Sequence, residues 1–304
     1  MDYDVIAGIF LTPTGKEPPA VVPSTSPARR LRDAVEPIAT IGWWSRAAAE
    51  SALALGHDFF DGYVWGRAAA LGADVATPVV VSAFGVFNGA LLGPVYEHGR
   101  SVSSRPAVLA SRSSGAAAGL RDATSGIDEN MISTVGASLL AALSTLEPGP
   151  RHLFGALQAL PVPDDPYGRL WRAAELVREH RGDTHLAACA AAGLDMAEMN
   201  VLTEVWLGYP VGEYSSTRGF DPASLASAVE SLAGRGWMTD GGVLTSAGRA
   251  ARDAVESATD VGQARLVEAI GAGLDDVVAV LGHISDAVLE ARAAPADPRK
   301  RAAG

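Results

Sequence analysis

Apolar residues recur at helical spacing from about residue 28 to residue 160. Four short stretches, GHD, LGAD, LGP and EPGP, interrupt this alanine-rich pattern. Because glycine and proline mark helix ends, the pattern predicts a helical bundle with a stop or start at each stretch. Residues 75–93, VATPVVVSAFGVFNGALLG, are the most apolar and are expected to run through the middle of the bundle. Their β-branched run leaves a strand as the alternative.

A second region begins after the stretch LPVPDDPYG at residues 160–168, whose prolines stop the preceding helix. We expect one helix over 168–181 that ends at Gly182. Asp183 would then cap a short helix that ends at Gly193.

Two further helices are predicted by their capping residues. Asp195 and Glu198 have the spacing of a capping box, which predicts a helix as far as about residue 207. Asp221, followed by a proline, predicts another helix over 222–234.

The stretch RGWMTDGGVLTSAGRAARDAVE has the pattern of strand, D-G-G turn, strand and long helix, with the helix starting at Thr245 or Ser246. Helices followed by a hairpin and another helix are typical of a winged helix. The predicted fold is therefore mainly α, an N-terminal helical bundle plus a C-terminal winged helix-turn-helix with a small β-hairpin. Its parts are a flexible segment (1–27), the bundle (28–160), the winged helix (164–260), one or more C-terminal helices (261–293) and a disordered tail (294–304).

The two ends are expected to differ from the rest. Residues 1–11 read as a strand or a mobile segment, and residues 12–27, rich in proline, serine and threonine, as an extended linker.

Composition limits the compartment and the partners. The 304 residues are 48% hydrophobic and carry a net charge of −11, which argues against indiscriminate attraction to a nucleic-acid backbone. The single cysteine, Cys189, allows no internal disulfide, and the acidic start makes a poor signal peptide. No apolar run is long enough to cross a bilayer. We therefore expect a cytoplasmic protein without a membrane partner.

Common catalytic motifs are absent from the sequence. It contains no phosphate-binding G-x-x-x-x-G-K-[ST], no G-x-S-x-G elbow and no H-E-x-x-H. An enzyme is less expected but not excluded, since a triad can be assembled from distant residues. His185 and Cys189 have metal-ligand spacing, yet no third ligand accompanies them, so neither a metal nor a cofactor is expected.

Four stretches carry a resemblance to a known family: GYVWGRAAALG (62–72), LWRAAELVREHRGDTHLAACAAAGLD (170–195), TRGF (217–220) and LAGRGWMTDGGVLTSAGRAARDAVESATD (232–260). In these the sequence resembles the actinobacterial SalK-like helix-turn-helix proteins. The resemblance implies a helical domain joined to a winged helix similar to that of MarR-type regulators. Thr184 and the stretch AFGVFN depart from the family pattern, which implies a pocket of different shape.

The winged-helix segment suggests DNA contacts at Arg218, Ser224, Ser227 and Arg235. The helix over 222–234 carries no basic residue, however, although phosphate contacts normally supply most of the affinity. The alternative is a module for packing or dimerisation. A homodimer would also pool the arginines of two copies.

The stretch LVREHRGDTHLAAC (176–189) concentrates charged residues between two helical runs. His180 and Arg181 suit the last turn of a helix, where cations are favoured. Alternatively, His180, Asp183 and His185 face a pocket between the domains, and Arg181 beside them holds an anion.

A second candidate group lies in the bundle. Arg67 either pairs with an interior acid or forms a ligand clamp with Tyr63, Phe84, Phe87 and Asn88, since small-molecule pockets are mostly apolar with a few polar groups.

These patterns together predict a small-molecule-responsive winged-helix protein, a transcriptional regulator with a ligand pocket between bundle and winged helix. The alternative is an enzyme or ligand-sequestering protein of specialised metabolism in which the winged helix is only a scaffold. The expected partners are a small-molecule ligand, DNA and a second copy of the chain.

Overall fold

Helices joined by turns make up most of the structure, a computed structural model that describes residues 3–11 and 26–297. The α-helices are α1 (Tyr3–Phe10), α2 (Pro27–Trp44), α3 (Arg46–Ala54), α4 (Phe59–Ala68), α5 (Thr77–Phe84), α6 (Gly89–Val102), α7 (Arg105–Ala123), α8 (Glu129–Ser144), α9 (His152–Gln158), α10 (Pro166–Ala191), α11 (Met196–Trp206), α12 (Pro222–Gly234), α13 (Ser246–Val261), α14 (Ala264–Ile270) and α15 (Leu274–Glu290). Short 3₁₀ helices span Ser215–Arg218 and Gly271–Gly273. The predicted mainly helical class is confirmed.

The largest hydrophobic core forms around α10, which packs against α2, α7, α8 and α9. Trp171 on α10 is buried and donates its indole N–H to the carbonyl of Ala39 on α2 at 3.2 Å. Gly42 permits this contact, because a Cβ there would lie only 3.0 Å from the indole nitrogen. Helices α14 and α15 return to the same core. It therefore takes side chains from both sides of the predicted boundary at 160–164, and the domain boundaries stay predictions.

Three of the four predicted interruptions of the bundle coincide with helix ends: GHD before α4, LGAD after it and EPGP before α9. The fourth, LGP, is wrong, because Pro94 lies inside α6. An interior proline costs about 3 kcal/mol. Leu92 and Tyr96 are fully buried on the same helix, and their burial offsets this cost.

The apolar stretch 75–93 forms neither a single central helix nor a strand, so both expectations are wrong. It contains α5 and the start of α6, which are bent by 119° relative to each other. Gly85 ends α5 in the left-handed region, at φ +68°, and the Asn88 side chain caps α6. Within the described residues no single helix is long and apolar enough to cross a membrane, although the bent pair of α5 and α6 passes by length and composition.

Helices α11 and α12 pack against each other as a helix-turn-helix around a small core that includes Val201, Leu202 and Leu232. The capping box of Asp195 and Glu198 is formed at the start of α11, as predicted. The predicted start of α12 is also confirmed, with Asp221 as its cap.

The predicted β-hairpin is wrong, because no strand forms in the described part of the chain. Residues 236–245 make a tight turn with one isolated antiparallel bridge, Met238 to Leu244. Thr245 caps α13 immediately afterwards. Because α13 begins directly after this bridge, few residues on either side of the D-G-G turn remain to pair as strands. The predicted wing is therefore a loop.

Helix α10 runs without a break through Gly182, so the predicted helix end at Gly182 and cap at Asp183 are wrong. A glycine inside a helix costs only about 1 kcal/mol, and the burial of α10 in the core exceeds this cost. Asp183 does act as a cap, but for another helix. Its carboxylate accepts the Phe154 N–H of the first turn of α9 at 2.9 Å.

The N-terminal residues form α1, so the strand expected there is wrong for residues 3–10. The flexibility of this segment stays a prediction. The Tyr3 hydroxyl donates to the carbonyl of Trp44 at 2.9 Å. The predicted linker falls mainly on residues 12–25, which lie outside the described residues, as do residues 298–304 of the predicted tail. The first two residues of the predicted tail, 294 and 295, are described and are buried.

Candidate functional site

A cavity of about 530 Å³ lies between the bundle and the helix-turn-helix. Helices α2, α4, α5 and α10 form one side of it. The other side is formed by α11, the segment 214–218 and α13. Any ligand in this space would touch both parts of the protein.

Aromatic side chains form much of the bundle side of the cavity. Trp43 of α2 packs edge-on against Tyr63 of α4, with ring centroids 5.2 Å apart. The Tyr63 ring centroid lies 6.2 Å from those of Phe84, at the end of α5, and Phe87, in the turn between α5 and α6, and both phenylalanines line the cavity. We call Trp43, Tyr63, Phe84 and Phe87 the aromatic wall. Such a wall suits a flat apolar molecule.

Arg67 pairs with a carboxylate at the edge of the aromatic wall. It donates two hydrogen bonds to Glu179 of α10, at 2.6 and 2.9 Å, while its guanidinium lies over the Phe84 ring. Arg178 pairs with Glu36 and Glu179, each at 3.2 Å. Burial by itself raises the pKa of Glu179, but the positive charges of Arg67 and Arg178 outweigh this effect and lower the pKa to about 2. Arg67 therefore pairs with an interior acid, one of the two roles predicted for it, and also lines the cavity.

A carboxylate of α13, Glu256, joins the helix-turn-helix side to the bundle. It accepts hydrogen bonds from Arg181 of α10 and Arg252 of α13, both at 2.6 Å, and from Arg29 of α2 at 3.0 Å. Burial opposes ionisation, yet these arginines lower the pKa of Glu256 far below its usual range. Three helices thus meet at one charged group in the cavity wall.

The two histidines of α10 have different positions. His180 is buried behind the cavity, where its Nδ1 is 2.7 Å from Oε1 of Gln263. His185 faces the cavity and is hydrogen-bonded to Thr259 at 3.1 Å. Burial lowers the pKa of His180 to about 4 and that of His185 to about 3, so both are neutral at physiological pH.

Arg218 is the last residue of the 3₁₀ helix Ser215–Arg218, and its guanidinium enters the cavity. It lies between the Phe87 and Tyr214 rings, 4.5 and 4.7 Å from their centroids, and donates to the Tyr214 hydroxyl. Burial lowers the pKa of Arg218 to about 10, although the nearby Tyr63 acts to raise that pKa. Arg218 therefore remains charged at neutral pH.

The predicted ligand-binding residues are only partly brought together. Those that line the cavity are Tyr63, Arg67, Phe84, Arg181 and His185. Asn88 and His180 do not line it, because Asn88 caps α6 and His180 bonds to Gln263. The ligand-binding role of the five remains a prediction.

Sequence reasoning missed the part of Glu256 and the position of Arg218 in the cavity wall. Arg218 was named only as a DNA contact, and that role stays a prediction. Its side chain lines the cavity, and its carbonyl accepts the Asn88 N–H at 2.9 Å. The stretch TRGF (217–220) was the available signal. Gly219 has φ +85° and lies against Leu91, where any Cβ would clash.

The other predicted DNA contacts lie on the helix-turn-helix. Ser227 is exposed on α12, and Ser224 is half-buried in its first turn. Arg235, after the helix end, donates to the carbonyls of Ala192 and Gly193 and so fixes the turn before α11. The exposed face of α12 therefore presents no cation.

The chain matches the sequence pattern of a protein family described as Helix-turn-helix family over residues 28–295. This match agrees with the packing of α11 against α12 and defines the class, a helix-turn-helix protein. The chain belongs to that family. Comparisons with curated proteins and with solved structures gave no match.

Proposed function

We propose that this protein is a transcriptional regulator whose affinity for DNA is set by a small molecule in the cavity. The observation that carries the proposal is that the helix-turn-helix side, through the segment 214–218 and α13, supplies part of the cavity wall. Membership of a helix-turn-helix family supports the DNA-binding half of the proposal. The finer assignment to SalK-like proteins with a MarR-type DNA-binding domain is part of it.

The coupling would pass through the segment between α11 and α12. Glu204 of α11 is fully buried and accepts the backbone N–H groups of Gly212, Tyr214 and Ser215 at 2.7–3.0 Å. These bonds fix the segment to α11. A ligand that moves the segment would therefore move α11 and α12 together, which is how a cavity event would reach a DNA-facing surface.

A second candidate is a ligand-sequestering protein or an enzyme in which the helix-turn-helix only completes the cavity. The composition of α12 favours it. The exposed face of α12 carries Ser227 and Glu230 among small residues and no cation, whereas non-specific affinity for DNA comes mainly from cations placed on phosphates. A homodimer would have to supply the missing positive charge from other surfaces of its two copies.

Selection from a random duplex library, with the gene's own upstream region included, tests the first function. We expect the full chain at low salt to enrich a specific sequence. The variant Ser227→Glu, which adds a negative charge to the exposed face of α12, should reduce retention at least about tenfold. The matched control Ser144→Glu, on the exposed surface of α8, should not. Failure to enrich any duplex would refute the regulator and favour the second candidate.

A further inference from the structure

One cation in the cavity wall has no carboxylate partner. Arg218 forms no ion pair with any residue in 3–11 or 26–297, and its buried Nε has no hydrogen-bond acceptor there. Its protein contacts are the Phe87 and Tyr214 rings and the Tyr214 hydroxyl. A buried guanidinium held only by ring faces and a neutral hydroxyl is expensive unless an anion reaches it.

The other arginines of the wall are already neutralised. Arg67 and Arg178 share Glu179, and Arg181 pairs with Glu256. Arg32 pairs with Asp33 at 2.9 Å. Arg218 is therefore the position in the wall where a ligand's negative charge would meet a cation that no protein carboxylate occupies.

We propose that Arg218 binds the carboxylate of a small organic monoacid whose flat, apolar body lies along the aromatic wall. This inference rests on the proposed function, because it names the class of molecule that the cavity would sense. The planar guanidinium matches a carboxylate in two parallel hydrogen bonds. Phe87 holds the guanidinium in place by stacking on one of its faces.

The size and charge of the cavity limit the ligand further. Its volume of about 530 Å³ falls within the range of about 300–1,000 Å³ that is usual for small-molecule sites. Asp183 also lines the wall, and its bonded partner is a backbone N–H rather than a cation. Its carboxylate would repel a second negative group on the ligand, which disfavours nucleotides, diphosphates and dicarboxylic acids.

Binding at Arg218 would also explain how a ligand in the cavity affects the position of α12. Arg218 lies three residues before Asp221, whose side chain accepts the Ser224 N–H at 2.7 Å and caps α12. An acid that shifts the guanidinium from its place between the Phe87 and Tyr214 rings would pull the first turn of α12 with it.

A series of flat acids, each with its neutral amide, tests the inference on the full chain. The probes are benzoate, 2-naphthoate and anthracene-9-carboxylate, each compared with its carboxamide by isothermal titration calorimetry. We expect at least one acid to bind wild type at least about tenfold more tightly than its amide. The amide has no negative charge, so it cannot form the charge-assisted hydrogen bonds with Arg218 that the carboxylate forms. Arg218→Gln should abolish the preference, and Arg218→Lys, which keeps the charge, should retain part of it. Arg265→Gln, on an exposed side chain of α14, is the matched control and should behave as wild type.

The outcomes separate this inference from the proposed function. Equal binding of every acid and its amide, no binding of any probe, or an acid preference that survives Arg218→Gln would each overturn the assignment of Arg218. None of these results alters the expected enrichment of a DNA sequence. The converse result is a protein that prefers acids through Arg218 and yet enriches no duplex in the DNA selection. That result would support the proposed ligand class and refute the proposed role as a transcriptional regulator. The urea unfolding midpoint of Arg218→Lys checks that the variant series is folded.

Discussion

The carboxyl group of Asp183 should make the stability of the protein depend on pH between about 4 and 7. It is 6% exposed, and its hydrogen-bond partner is the N–H of Phe154. Burial raises the pKa of Asp183 from 3.8 to about 6, even though that N–H favours the ionised form. The substitution Asp183→Asn removes the titration and keeps an oxygen that can accept the same N–H.

The sign follows from proton linkage. Because the folded-state pKa of Asp183 lies above its unfolded value, the folded state holds the proton more tightly. The stability from Asp183 is therefore fully present below about pH 4 and is lost as the pH rises through about 6. A shift of about two pKa units, at about 1.4 kcal/mol per unit, corresponds to roughly 3 kcal/mol.

Urea unfolding of wild type and Asp183→Asn, followed by tryptophan fluorescence from about pH 4 to about pH 8, measures this difference. Relative to wild type, the variant should gain about 3 kcal/mol in its free energy of unfolding over that range. Buried histidines titrate in both proteins, so their contribution cancels. The matched control Asp122→Asn makes the same substitution at an exposed residue of α7. A constant difference between Asp183→Asn and wild type would refute the raised pKa.

Two other substitutions on α10 test its packing by urea unfolding. Gly182→Ala should stabilise the protein by about 0.5–1 kcal/mol, because the new Cβ would lie 3.6 Å from Oε2 of Glu179, an ordinary contact inside a helix. Destabilisation would mean that α10 is interrupted there. His180→Ala should cost about 2–4 kcal/mol, since it removes the hydrogen bond to the buried Gln263 Oε1 and opens a space beside Phe154. Unchanged stability with loss of acid binding would instead assign His180 to the ligand.

The helix ends that sequence predicted correctly are those fixed by nearby residues. The capping box of Asp195 and Glu198, the cap at Asp221 and the cap at Thr245 depend on bonds within three residues, so their spacing is sufficient evidence. Gly182 failed because the same local signal competes with long-range burial. The sides of α10 pack against five helices, α2, α7, α8, α9 and α13, and that packing outweighs one glycine.

The candidate site was predictable in part for the same reason. Tyr63 and Arg67 are one helical turn apart, so their shared face follows from sequence spacing alone. Glu179 and Glu256 are 112 and 75 residues from the arginines they pair with, Arg67 and Arg181, and no local pattern connects such positions. The predicted hairpin failed because sequence identified the turn but not the length of ladder available on each side of it.

The unbroken course of α10 has a mechanical consequence. Its 26 residues form a rod about 39 Å long, with one end in the largest core and the other at the turn that precedes α11. Lacking an internal joint, such a rod turns small rotations into large displacements: a tilt of about 5° moves the far end by about 3 Å. Helix α10 would then act as a lever, so that a ligand too small to push α11 and α12 directly could still shift both.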